Sequence, residues 1–244
     1  MEIFVQVRDP LLPQIVCEEK SFLLVYKPPR MHSAPQNKSS GESIFDWCAA
    51  SFSEIRTPMG RKAGEGGLFH RLDYETQGLL LLARNKACMD SLLRQQAEGK
   101  IIKEYSAIVS EKTVSLPGFP LEKPLEKLPE GRKFKLKSGF RPYGKGRKTV
   151  RPLPGGSYLT EVFETNPLTG AFYSLKIRIF KGFRHQIRSH LAWISTPIIN
   201  DLLYEGLPHG KGFLALRACS LIFNDPDTQA ELKYSIPSLD LKET

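Results

Sequence analysis

Residues 68–84 read Leu-Phe-His-Arg-Leu-Asp-Tyr-Glu-Thr-Gln-Gly-Leu-Leu-Leu-Leu-Ala-Arg, two apolar runs on either side of a short polar knot. The second run, Leu79 to Ala83, is uninterrupted, which suits a strand buried on both faces and therefore a rigid mount. Between the runs, Asp73, Thr76 and Gly78 have turn chemistry. The Asp and Thr oxygens accept from nearby backbone N–H groups, and glycine permits a positive φ. One carboxylate, Asp73, is thus placed at a tight turn beside His70 and Arg71. Aspartate is common in turns for purely local reasons, so the pattern alone fits a turn former as well as a reactive group.

The chain has 244 residues, 41% of them hydrophobic, enough to bury a core. A net charge of +9 favours an anionic partner, nucleic acid before a membrane surface. Cys17, Cys48, Cys88 and Cys219 lie far apart without a C-x-x-C pair, which indicates neither zinc nor a disulfide framework. The spacing of His185 and His190 suits neither helix-face rule for a two-His site, and no metal is expected. The start of the chain lacks a basic then apolar leader, and no run reaches transmembrane length. A cytoplasmic enzyme or RNA-binding protein, monomeric and without membrane contact, fits these limits.

Residues 15–26 read as a strand stopped by Lys27-Pro28-Pro29, because proline cannot donate to a ladder. Lys27 at its end reads by default as a solvated lysine. Ser39-x-x-Glu42 is a candidate capping box for an amphipathic helix over 42–52, in which Trp47 belongs to the core. Residues 57–67 carry four glycines and one proline and form a loop that is either a ligand cover or a passive connector. Asn85 caps a helix over 86–98 with Gly99 as its stop and Met89, Leu92, Leu93 and Gln96 as its face. A strand over 100–109 follows, in which Lys103, Tyr105 and Ala107 share one side of the pleat. Tyr105 is there either a core ring or a ring against a ligand.

Residues 131–151 hold nine Lys or Arg and no acid, with Phe134, Phe140 and Tyr143 interleaved. Such a run is either a solvated excursion from the core or an RNA contact, in which cations neutralise phosphates and aromatics stack on bases. RNA contact is favoured, through Lys133, Lys135, Lys137, Arg141, Lys145, Arg147 and Lys148. Strands resume at 157–165 and 172–180, joined by turn residues and so antiparallel neighbours. Residues 180–194 read as a strand end, a glycine break and a helix buried through Ile187, Leu191 and Ile194. Arg184 and Arg188 are expected four apart on a neighbouring helix face, where an anion would relieve their repulsion.

Four stretches together resemble the RluA family of pseudouridine synthases. The string His70-Arg71-Leu72-Asp73-x-x-Thr76-x-Gly78-Leu79-Leu80 is similar to the family's catalytic motif, with Gln77 where Ser is usual. Lys27-Pro28, Met31 and Pro35 match a second motif, with Arg30 in place of Gly and Ala34 in place of His. Lys103-x-Tyr105-x-Ala107 matches a third. Gly182, His185-Gln186-Ile187-Arg188 and His190-Leu191 match a fourth, from which Lys181, Phe183 and Arg184 depart. Downstream, Pro197-Ile198, Asp201 and Tyr204 match, with Asn200 for Gly and, further on, Arg217 for His. The resemblance spans residues 20–235.

What the resemblance implies is specific. Asp73 is the catalytic carboxylate, Arg71 helps to displace the target base, Tyr105 packs against the uracil, Ile187 helps to hold the base, and Arg188 pairs with the aspartate. The reaction breaks an N-glycosidic bond and rejoins the same uracil through carbon, so no cofactor is expected. The fold expected is α+β. Turn-linked strands and few helices suggest a largely antiparallel sheet, and the family implies a bifurcated sheet with flanking helices and a central cleft. One catalytic domain over 1–244 is expected, with a core of 15–238, a basic insert at 131–151 and no separate N-terminal RNA-binding domain. The function implied is isomerisation of specific uridines in ribosomal or transfer RNA. The alternative is a non-catalytic RNA-binding or RNA-folding protein on the same scaffold.

Overall fold

The computed structural model describes residues 2–36, 42–57, 64–112, 116–125, 128, 131 and 133–244, except the side chain of Lys145. In chain order the elements are β1 (Glu2–Phe4), β2 (Gln14–Glu18), β3 (Phe22–Lys27), α1 (Ile44–Ser51), β4 (Gln77–Ala83), α2 (Lys86–Ala97), β5 (Ile102–Ser110), β6 (Phe134–Tyr143), β7 (Thr149–Pro167), β8 (Phe172–Ile179), α3 (Gln186–Trp193), β9 (Leu216–Asn224) and β10 (Glu231–Ser235). Strands dominate and most paired neighbours are antiparallel, so the α+β expectation holds. No helix among the described residues is long and apolar enough to cross a membrane. The chain falls into two compact units, Met1–Lys103 with Ala218–Pro237, and Glu104–Arg217 with Ser238–Thr244.

In the first unit the strands run β2-β3-β4-β9-β10-β1. The Leu79 to Ala83 run is the strand its composition demands, and all seven residues of β4 are buried. Alternate residues of three strands (Phe22, Leu24 and Tyr26; Leu79, Leu81 and Ala83; Cys219, Leu221 and Phe223) join Cys88, Met89 and Leu92 of α2 in one core. The residues between them, Leu23, Val25, Leu80 and Leu82, are equally buried, so β3 and β4 are covered on both faces. Gly78 has φ +124°, and a Cβ there would lie 2.2 Å from the Ala218 carbonyl oxygen, so only glycine lets β4 and β9 approach.

Helix α2 keeps its expected ends: the Asn85 side chain accepts from Cys88 N–H at 2.9 Å, and Gly99 has φ +71°. Its buried face includes Cys88, Met89, Leu92 and Gln95, and not Gln96. The stretch 15–26 is not one strand. It is a hairpin of β2 and β3, because Glu19, Lys20 and Ser21 turn the chain and the Glu19 N–H donates to the Phe22 carbonyl at 3.0 Å. Helix α1 starts later than expected, at Ile44, and its cap is Ser43, whose oxygen accepts from Asp46 N–H. Ser39 lies outside the described residues. Trp47 is only half-buried, while Ile44, Phe45, Cys48 and Ala49 face the interior.

In the second unit the order is β5-β8-β7-β6. The basic stretch 131–151 is no excursion here. Residues Phe134–Tyr143 pair with β7, with one register shift after Ser138, and β7 begins at Thr149, well before residue 157. Alternation explains this: Phe134, Leu136 and Ser138 are buried while Lys133, Lys135 and Lys137 face solvent. Strands β7 and β8 form the expected antiparallel pair.

His190 of α3 is fully buried between Thr160 Oγ1 and Ser138 Oγ, each 2.8 Å from a ring nitrogen. Burial pushes its imidazole down to about 3. The unfolded chain takes up this proton near pH 6.5 and the folded chain does not, so stability falls as pH drops from about 6.5 towards 3. Urea midpoints measured between pH 7 and pH 4 should show this loss. A His190→Gln variant should show a shallower decline, the difference approaching about 1.4 kcal/mol per pH unit. Equal slopes would remove His190 from the acid lability.

Candidate active site

Asp73 stands on the turn that feeds β4, half-buried. Thr76 N–H donates to the Asp73 carbonyl at 3.1 Å and closes the turn. Just before it, Ser33 grips Leu72 twice: its hydroxyl donates to the Leu72 carbonyl at 2.7 Å and accepts from the Leu72 N–H at 2.9 Å. Just after it, Lys27 Nζ donates to the Tyr74 carbonyl at 3.3 Å. The backbone is therefore held on both sides of the carboxylate by side chains from the 27–33 segment.

Lys27 is not a solvated lysine. It is fully buried, and its ammonium also donates to the carbonyls of Pro28 at 2.8 Å and Met31 at 2.9 Å. All three ammonium protons thus have acceptors, which is the condition for burying such a group. Burial pushes it down to about 7, while the charges of Asp73 and Glu75 pull the other way. His70 is held neutral by burial and by the charge of Lys103, and its Nε2 accepts from Leu81 N–H at 3.3 Å. Gln77 takes a bond from the Tyr26 hydroxyl at 2.6 Å. Arg71 is exposed, with Nη1 3.4 Å from Glu65.

The second unit holds the other expected site residues. Tyr105 on β5 and Ile187 on α3 are buried. Arg188 is 3% exposed and forms a two-pronged ion pair with Asp201: Nε to Oδ2 and Nη2 to Oδ1, both at 2.7 Å. Its guanidinium also lies 5.4 Å from the Tyr204 ring centre. The matched residues Asp201 and Tyr204 are thus a built socket for Arg188, a role that their place in the sequence did not reveal. Removing one member of such a buried pair costs about 3–5 kcal/mol. Arg184 does not share a helix face with Arg188. It precedes α3, and its Nη2 donates to the carbonyls of Arg147 and Thr149 at 2.6 and 3.2 Å. Its charge is taken by backbone carbonyls rather than placed beside Arg188 on one helix face.

Two departures from the RluA pattern have a common cause. Arg30 and Asn200 stand where the family has glycine, and their φ angles are +58° and +64°. Both stand in the left-handed region, which glycine adopts without cost. Asparagine tolerates it well, and the Asn200 side chain binds His209 N–H at 2.6 Å and the carbonyls of His209 and Phe213 at 2.9 and 2.8 Å. Arg217, in place of histidine, is buried against Glu243 with Nη2 to Oε2 at 2.5 Å.

Of the basic run, Lys133, Lys137, Arg141, Arg147 and Lys148 are exposed, and Lys135 is exposed but lies 2.7 Å from Glu161. The side chain of Lys145 lies outside the described residues. Phe134 is buried in the sheet and is not offered to a base, and Tyr143 lies under the Arg151 guanidinium at 4.9 Å. Among the described residues no cluster of ligating side chains suits a metal ion.

The depressed Lys27 carries a stability signature. Its pKa is about 7 in the fold against 10.5 ordinarily, so the unfolded chain holds a proton between these limits that the folded chain has lost. Stability therefore rises with pH above about 7. Denaturant melts at pH 6.5, 8 and 9.5 should show the native protein gaining on a Lys27→Met variant. A pH-independent difference would mean that Lys27 titrates normally.

Comparison with known proteins identifies the family. The sequence pattern of the family described as RNA pseudouridylate synthase matches residues 21–193. A ribosomal large subunit pseudouridine synthase D of Xanthomonas campestris pv. campestris is 30% identical over 197 residues, 75% of this chain and 54% of its own length. The protein of the same name from Blochmanniella floridana is 29% identical over 189 residues, 71% of this chain and 54% of its own. The chain thus spans about half the length of these relatives. Among solved structures, Human RNA Pseudouridylate Synthase Domain Containing 4 shares the fold with a TM-score of 0.63, over 94% of this chain and 90% of that one, at 19% identity. With most of its length matched by that family's pattern, this chain belongs to the RNA pseudouridylate synthases, as its RluA-like motifs imply.

Proposed function

We propose that this chain isomerises uridine to pseudouridine in a structured RNA, ribosomal or transfer, with Asp73 as the catalytic carboxylate. It acts as a monomer in the cytoplasm. The observation that carries the reading is the clamped turn: Leu72 and Tyr74 are tied by Ser33 and Lys27, so the carboxylate between them has a fixed base. A preset group spends no free energy on ordering itself during the reaction.

The chemistry asks for an ionised carboxylate beside the ribose. It serves as nucleophile on the sugar carbon or as base on the ribose, and both routes begin from the same placement. The glycosidic C–N bond breaks with its electron pair going to the ring nitrogen, the uracil turns, a C–C bond forms, the ring carbon gives up its proton, and the nitrogen takes one up, so that product and substrate are isomers. Arg71 takes the place that the base vacates, Tyr105 and Ile187 hold the uracil, and Arg188, oriented by Asp201, holds the carboxylate. Unstacking the base costs roughly a few kcal/mol. Phosphate contacts from Lys133, Lys135, Lys137, Arg141, Lys145, Arg147 and Lys148 offset this cost. The names of the relatives make large-subunit ribosomal RNA the first substrate to test.

The decisive measurement maps pseudouridine by carbodiimide-based sequencing in ribosomal and transfer RNA from cells with and without the gene. One or a few sites should vanish with the gene and return with the native sequence but not with Asp73→Ala. Purified Asp73→Asn should bind RNA with native affinity and lose at least about 10³-fold in turnover. A variant that turned over normally would sink the assignment.

A further inference from the structure

Phe183 stands where the family motif carries a polar residue, and it does not stand alone. Its ring stacks on Phe140 of β6 at 5.3 Å between centres and 13° between planes. Tyr158 of β7 meets Phe183 edge-on at 5.1 Å and Phe140 at 5.7 Å. All three rings are partly exposed. The backing is rigid: Phe140 lies 4.8 Å from the ring of buried His190. The register shift between Ser138 and Gly139 makes the platform possible. It places Tyr158 opposite Ser138 but Leu153 opposite Gly139, so residues 154–157 bulge from β7. Gly156 allows that bulge, with φ +104° and room for no Cβ beside Gly139, whose N would lie 2.4 Å away.

One exposed cation lies against these rings, and the same segments carry others. Lys181 Nζ lies 5.2 Å from the Tyr158 ring centre, and Lys137, Arg141, Lys181 and Arg184 are exposed. Half-buried aromatic faces with a lysine against them suit a nucleobase with its phosphate. Resting on the reading that this chain acts on RNA, we infer that Phe183, Phe140 and Tyr158 form a stacking platform for an unpaired nucleotide of the substrate, whose phosphate is held by Lys181. Phe183, one of the chain's departures from the family motif, completes this platform, which selects for an unpaired base.

The test uses the full chain and a single-stranded oligouridine of about twelve nucleotides carrying 5-iodouridine, which cross-links to a stacked aromatic ring on irradiation. Cross-links should map by mass spectrometry to Phe140, Tyr158 or Phe183. Phe183→Leu keeps the apolar packing and loses the ring, so its affinity for the single strand should fall about ten-fold while that for a duplex of equal length barely changes. Lys181→Gln, at an exposed side chain, should weaken binding and reduce its salt dependence. Cross-links confined to other residues, or native affinity in both variants, would overturn the platform. The Asp73→Asn protein should cross-link at the same rings. A failed platform with intact dependence of turnover on Asp73, or the reverse, therefore tells the two readings apart.

Discussion

The buried ammonium of Lys27 is the constraint around which the Asp73 segment is arranged. An ammonium taken out of water must have its protons accepted, and here three backbone carbonyls do this. One of them, Tyr74, is the neighbour of Asp73. The cost of burial is thus tied to the position of the loop: a shift of the turn strands a donor with no water to replace the lost acceptor. The mount is equally stiff, since Lys27 ends β3, which pairs with β4 from Phe22↔Ala83 to Lys27↔Gly78. Strand and clamp thus fix the backbone on both sides of Asp73.

Arg188 shows the same logic with the opposite economy of protons. A guanidinium cannot discharge itself on burial, so it must be paired, and the fork of Arg188 meets both oxygens of Asp201. Tyr204, whose hydroxyl is tied to the Val150 N–H and carbonyl, supplies a ring beside it. These partners fix the orientation of a charge whose own strength would otherwise draw it to solvent. The left-handed residues Arg30 and Asn200 fit this view. Each holds a left-handed backbone at a loop corner, at a cost of about 1–2 kcal/mol relative to glycine.

Much of this was legible in the sequence where local physics decides. The uninterrupted Leu79 to Ala83 run, the Asn85 and Gly99 ends of α2 and the β7–β8 turn rest on period, capping and turn chemistry, and each stands as read. The misses share another character. Lys27 reads as solvated because nothing nearby in sequence supplies its acceptors except Pro28 and Met31; the third, Tyr74, comes from the far side of the loop. The Arg188–Asp201 pair spans a helix end and a turn that no spacing rule connects. Arg184 looked helical by continuity with Arg188, but His185 has φ +55° and starts the helix after it. The hairpin turn at Glu19 to Ser21 was hidden by apolar residues on both sides.

The basic hairpin is the instructive case, because charge masked a regular period. Lys133, Lys135 and Lys137 alternate with Phe134, Leu136 and Ser138, the same two-residue pattern as any half-buried strand, but a run of like charge invites the reading of a solvated insert. A ladder and a buried face outweigh the repulsion: two like charges about 7 Å apart along one solvated strand face repel by only about 0.6 kcal/mol in water, whereas burying a Phe or Leu side chain contributes roughly 1.5–3 kcal/mol. The functional meaning differs accordingly. Cations on a flexible insert adapt to any anion and pay for it in entropy, whereas cations spaced by a strand form a fixed row. A fixed row holds its charges at one spacing, set by the same strand pair that positions Phe140 and Tyr158.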